Sequence, residues 1–381
     1  MNIGFCTYYS PINRNDNYLQ ASNTCFANKV VFSGFKGYLN KDTVNFSGSI
    51  SPVKTSKIAF NGNFFYDKIQ QDSDFFNKVV NFNEALTKAF KNKADEAAIS
   101  EIIKKHFPDI KIKISNHPEK KDLTYHLIQF YEGEKDPEVI NRLYVNLNKA
   151  SQDNVFDAVL SIIVNNHIDN FTTQFADKLK ELSKMNKLNI YQVQQLVKQM
   201  VPDRDIYIND YSQIPERSKN VHLVALTDQA YSYNGVHKDS TIYVDFNSLD
   251  QDLIPVLAHE FSHALQAITL HDNKLKIFAQ KNGVDFERCD KAFRYFVDEC
   301  FYNREVTDIT EVVKEAIVKY NLPDNKTTRD LFINFAKNEA QAHFHQYKQE
   351  KITYRQDTEH LLGVMKQLRF MEHVAFKLTQ I

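Results

Sequence analysis

The 381-residue sequence lacks a net charge, a long apolar run and a cysteine framework, and each absence removes a class of protein. Forty-seven Lys and Arg against 48 Asp and Glu leave a formal charge of -1. No global field therefore draws the chain to nucleic acid or to an anionic membrane, and the expectation is local recognition of a partner that is neither. The longest apolar stretch, residues 155–164, is broken by Asp157 and Ser161 and falls well short of the roughly 18 residues that span a bilayer. The opening segment MNIGFCTYYSPINRNDN has no basic residue before Arg14 and no sustained apolar run. It does not read as a secretory signal, so the expected location is the cytoplasm, or the outside of the cell by another route. Cys6, Cys25, Cys289 and Cys300 form no C-x-x-C pair and are read as reduced thiols.

What the sequence does contain is an ordinary globular balance, 43% apolar and 25% charged, in a chain long enough for two or three domains. Residues 1–66 are rich in Asn, Ser, Gly and Phe and repeat VVFSG, VNFSG and IAFNG, with Phe32, Phe46 and Phe60 evenly spaced. They are read as a loosely ordered arm. Residues 67–200 form an accessory domain of mixed, mostly helical structure. Apolar spacing of three and four residues predicts helices from Asp74 to His106, short alternating runs predict strands in IKIKIS, LTYHLIQFY and INRLYVNLN, and helices resume over 153–200. Residues 201–381 open with the strands DIYIND, VHLVALT and STIYVDF, with a turn at Asn234-Gly235 before the third, and continue as helices from Leu253. A short sheet followed by a run of helices is an α+β order.

The segment DLIPVLAHEFSHALQAI carries the chemistry. His259 and His263, four residues apart on a helix, lie on one face about 5–6 Å apart at Cβ and can share one tetrahedral Zn²⁺. Glu260, one residue round the helix, can reach a water on that ion, where a general base is needed. Leu257, Phe261, Ala264, Leu265 and Ile268 form an apolar stripe, whereas His259, Ser262, His263 and Gln266 form a separate polar face. Asp252 as N-cap places Pro255 in the first turn. A helix whose histidines are merely solvated is the competing reading, and the accompanying Glu260 argues against it.

HEFSHALQ, preceded by TIYVDF, resembles the active-site helix and edge strand of the zincin metallopeptidases. The resemblance covers about residues 205–347, and only the eight residues of HEFSHALQ are specific. It implies a zincin-like C-terminal domain, zinc-dependent hydrolysis of peptide bonds, a protein or peptide substrate, and an edge strand at residues 241–246 that pairs with extended substrate. Gln266 and Thr269 stand where the longer metzincin pattern has Gly and His, so the third ligand is sought on a later helix, as in gluzincins. NEAQAHFHQ offers Glu339, with Ala340 and Ala342 permitting close helix approach, and its E-A-x-A form resembles the gluzincin third-ligand helix. Glu299 and Glu305 are rivals. His343, one turn after Glu339, is placed as an oxyanion donor, a role for which Tyr347 and Tyr302 are also candidates. Cys300 is given no role. The expected mechanism is attack by a zinc-activated water with Glu260 as general base. The alternative is a catalytically inactive zincin-like fold kept as a binding or scaffold module.

Overall fold

The computed structural model describes residues 72–116, 125–133, 137–202, 204, 206–210, 225–228, 240–247, 250–268, 270–300, 308–353 and 358–379. The arm at 1–66, the Asn234-Gly235 turn, Tyr302 and Glu305 lie outside the described residues. In chain order the elements are α1 (Ser73–Lys91), α2 (Glu96–His106), β1 (Ile112–Ser115), β2 (Tyr125–Glu132), β3 (Glu138–Val145), α3 (Gln152–Met185), α4 (Ile190–Met200), β4 (Tyr207–Asp210), β5 (Ala225–Asp228) and β6 (Thr241–Val244). Six helices follow: α5 (Asp250–Ile268), α6 (Leu270–Lys281), α7 (Phe286–Asp298), α8 (Ile309–Lys319), α9 (Lys326–Thr353) and α10 (Thr358–Leu378). Short sheets and long helical runs make the fold α+β.

The described chain divides into two compact units. In one, residues 72–116, 125–127 and 140–164, helix α1 begins where the Asp72 carboxylate accepts from the N–H groups of Asp74 and Phe75. It buries Val79, Phe82, Leu86 and Ala89 at helical spacing. Phe82 packs edge-on to Phe107 at 5.1 Å between ring centroids and stacks on Phe156 at 5.9 Å. β1 runs parallel to β3, with Ile112 opposite Asn141.

The other unit, residues 128–133, 137–139 and 165–379, holds the motif helix α5. Its sheet has the order β4-β6-β5, with β4 parallel and β5 antiparallel to β6. The strand expected at an edge is thus the middle one: residues 241–244 are paired on both sides, and β6 has no ladder left to offer an extended peptide. The alternating pattern of TIYVDF reports a pleated strand but not how many neighbours it has.

α5 starts at Asp250, three residues before the expected Leu253, and runs through Pro255. That residue therefore sits in the second turn, where it has no N–H to give the carbonyl four residues back. Leu257, Phe261, Ala264 and Leu265 are fully buried as expected, and Phe261 stacks on Phe175 of α3 at 4.1 Å. The polar face is buried as well, which removes the competing reading of merely solvated histidines: His259, Glu260, Ser262, His263 and Gln266 are each no more than 2% exposed. The cause is α9, which packs along α5 and contributes its own buried polar residues Gln341, His343, His345 and Gln346. The small side chain of Ala342, fully buried, suits that close approach, whereas Ala340 belongs to the apolar core on the other side of α9. Behind α9, Phe293, Phe296, Phe332, Val312, Leu368 and Val374 form an apolar core with α7, α8 and α10.

Candidate metal centre

One turn of α5 brings the Nε2 atoms of His259 and His263 to 3.1 Å from each other. α9 supplies Glu339, whose Oε2 lies 3.6 Å from His263 Nε2 and 3.9 Å from His259 Nε2. Two donors bound to one tetrahedral ion at the usual lengths are about 3.3–3.6 Å apart. The three separations bracket that range, so these side chains form a candidate metal site. Glu339 Oε2 is buried and makes no hydrogen bond, and the same holds for His259 Nδ1. A buried carboxylate oxygen aimed at two nitrogens is what a bound cation would satisfy.

The electrostatics of the metal-free site are asymmetric. Burial, followed by the neighbouring His343, His263 and His345, holds His259 well below the ordinary imidazole range. Burial opposes the charged form of His263 too, but the carboxylates of Glu339 and Glu260 outweigh it and hold this ring above its ordinary value. Burial would raise Glu339, yet His263, His343 and Arg294 together keep it below its ordinary value. His259 is thus held neutral, while the carboxylates beside His263 favour positive charge at the place where a metal ion would supply it.

Glu260 is buried beside His259 and near enough to His263 to act on its protonation. His343 lies on the site side of α9, its ring 4.7 Å from that of His259 and inclined by 64°. Burial pushes it down to about 4, with His263 acting in the same sense against Glu339. It is therefore a neutral ring near pH 7. Glu299 caps the end of α7 and does not share the cluster formed by Glu339. Tyr347 is buried further along α9. Cys289 is a buried thiol, pushed up by burial, and Cys300 is half-buried.

Sequence reasoning missed the polar support beneath the histidines. His263 Nδ1–H donates to Gln266 Oε1 at 2.8 Å. Gln266 Nε2 donates in turn to Gln341 Oε1 at 2.9 Å and to the Asn338 carbonyl at 3.2 Å. Gln341 Nε2 reaches Asp169 Oδ1 at 2.7 Å, and His345 Nε2 reaches the same oxygen at 2.9 Å. Gln266 carried a signal, three residues from His263 on the same helix. Asp169, on α3, carried none.

No protein-family model matches the chain, and no solved structure matches it. The chain is similar to Endonuclease GajA of Bacillus cereus (strain HuB5-5), 22% identical over 282 residues, which cover 70% of this chain. It spans 37% of that protein's length. This finding overturns the zincin reading, with the zinc endopeptidase activity and the protein or peptide substrate it implied, and also the exclusion of nucleic acid drawn from the charge balance. The relative bears the name of an endonuclease and not of a peptidase. The physical reason for the error is that HEFSHALQ specifies only two imidazoles and a carboxylate able to serve a cation, and such a centre would polarise a phosphoryl oxygen as readily as a carbonyl. Balanced net charge likewise excludes only a global field, not a local nucleic-acid surface. Among the described residues no helix is long and apolar enough to cross a membrane. The residues that the sequence singled out thus converge on a candidate metal centre, in a chain whose reported similarity is to an endonuclease.

Proposed function

We propose that the chain is a metal-dependent hydrolase acting on the phosphodiester bonds of nucleic acid, with Zn²⁺ held by His259, His263 and Glu339. The observation that carries the reading is the convergence of two imidazole nitrogens and one buried carboxylate oxygen on a single point. Two nitrogens and one oxygen are a donor set suited to Zn²⁺, and three protein ligands leave a position for water. The similarity to Endonuclease GajA supports nucleic acid as the substrate class.

When bound, the ion supplies Lewis acidity and lowers the pKa of a coordinated water from 15.7 toward about 7. The chain's own residues do the rest. Glu260 takes the proton of the attacking water and returns it to the departing oxygen. The ring N–H of neutral His343 donates toward the charge that develops on the phosphoryl group. Burial of the whole cluster strengthens each of these interactions relative to water.

The test uses the full chain with linear and plasmid DNA and with RNA, zinc added or chelated, beside Glu260→Gln. The expected result is cleavage that disappears on chelation and in Glu260→Gln, while the variant still binds zinc. A zinc-loaded wild type inert on all three substrates would remove the substrate class, and a wild type that binds no metal would remove the site.

A further inference from the structure

The polar chain beneath His263 has a direction. Gln266 gives both amide hydrogens away, one to Gln341 Oε1 and one to the Asn338 carbonyl, which can only accept. Its own oxygen must therefore be the end that meets His263, so that His263 carries its hydrogen on Nδ1 and turns a bare Nε2 toward His259 and Glu339. Gln341 is oriented by the same logic one step on. Its Nε2 donates to Asp169 Oδ1 at 2.7 Å and more distantly, at 3.3 Å, to the Asn165 carbonyl. Asp169 ends the chain as an ionisable acceptor with two donors on one oxygen, Gln341 and His345.

We infer that Asp169 is a positioning residue for the metal centre: acting through Gln341 and Gln266, it fixes the tautomer and ring orientation of His263. A carboxylate that orders a metal-binding imidazole through hydrogen bonds makes its nitrogen a better ligand, and removing such support typically weakens metal binding about 10–100-fold. Here the carboxylate acts across two intervening amides and from a helix, α3, that lies well before the motif in sequence. His345, whose Nε2 is turned to Asp169, thereby gains a role as the second donor that holds Asp169 in place.

The inference rests on His263 being a metal ligand, and its test reads zinc binding and the state of the ring without reading nuclease activity. Three variants of the full chain are compared with wild type: Asp169→Asn, which keeps an accepting oxygen for both donors; Asp169→Ala, which keeps none; and Gln341→Met, which breaks the chain but leaves Asp169 and His345 paired. Zinc affinity is measured by competition with a chromophoric chelator. The Nδ1–H proton of His263 is followed by imidazole ¹⁵N–¹H NMR in zinc-loaded protein and in metal-free protein at alkaline pH. The expected outcome is a loss of about 10–100-fold in zinc affinity for Asp169→Ala and Gln341→Met, with a shifted or fast-exchanging Nδ1–H signal. Asp169→Asn should stay near wild type in both. Wild-type affinity and an unchanged signal in Gln341→Met, or in a folded Asp169→Ala, would overturn the inference, because the Asn338 carbonyl alone would then suffice. Equal loss in all three variants in step with thermal stability, with the His263 signal intact, would reduce Asp169 to a packing role. If wild type binds no zinc, the metal-free NMR arm still decides whether Asp169 sets the tautomer.

Discussion

Replacing Glu339 by Gln removes the one formal negative charge among the three candidate ligands and leaves the volume and an acceptor oxygen in place. Loss of hydrogen-bonded support behind a ligand costs about 10–100-fold in metal affinity, and loss of a ligating carboxylate should cost at least about 100-fold. A ligand that binds only the folded state at 100 times its Kd stabilises that state by about 2.7 kcal/mol. At the same zinc concentration the variant sits near its own Kd, where the stabilisation is about 0.4 kcal/mol. The difference, about 2.3 kcal/mol, corresponds to about 5–9 °C in Tm for a domain of 150–250 residues. Differential scanning fluorimetry with and without zinc measures it. The reasoning fails if Glu339→Gln shows the same zinc-induced rise in Tm as wild type, since Oε2 would then not bind the ion despite lying 3.6 Å from His263 Nε2.

Ala342→Leu places three extra carbons on the face of α9 that packs along α5; it should destabilise by about 1–3 kcal/mol in urea titration and weaken zinc binding together with stability. Unchanged zinc affinity would mean that the helix spacing does not set the ligand geometry. Glu372 is raised above its ordinary 4.5, chiefly by burial, against the opposing pull of the Tyr131 N–H and Arg369. Below that ordinary value both folded and unfolded states are protonated and burial carries no charge penalty; as pH rises toward the folded value the penalty enters and then stays constant. Glu372→Gln keeps an acceptor for Tyr131 N–H without a titrating charge, so its stability relative to wild type should increase between about pH 4 and about pH 7. A pH-independent difference in urea titrations would contradict this sign.

The helix α5 and the spacing of its histidines could be read from the sequence because both follow from local periodicity: the apolar stripe fixes the buried side, and four residues fix the distance between the rings. The burial of the polar side could not be read in the same way. What covers His263 and Gln266 is α9, with Asn338 and Gln341 lying 72 and 75 positions beyond Gln266. A single helix carries no information about a neighbour that arrives so much later. Glu339 could be picked out because small residues beside an acid suggest close helix packing, although only Ala342 lies on the side toward α5 and Ala340 is in the apolar core. Asp169 was not, since it lies 176 residues before its partner His345 and no motif surrounds it. β6 shows the same divide, its pleat legible in TIYVDF and its central place dependent on β4. The substrate class was the least legible feature, because the residues that would set it are not those of the motif.

Glu339, Gln341, His343 and His345 ride on one continuous 28-residue helix. The proposed ligand, the polar support beneath it and the proposed hydrogen-bond donor are thus mechanically ganged: a rotation or one-turn slide of α9 would shift all three at once. Perturbations anywhere along its packed face should therefore switch the centre off as a unit and seldom tune a single property.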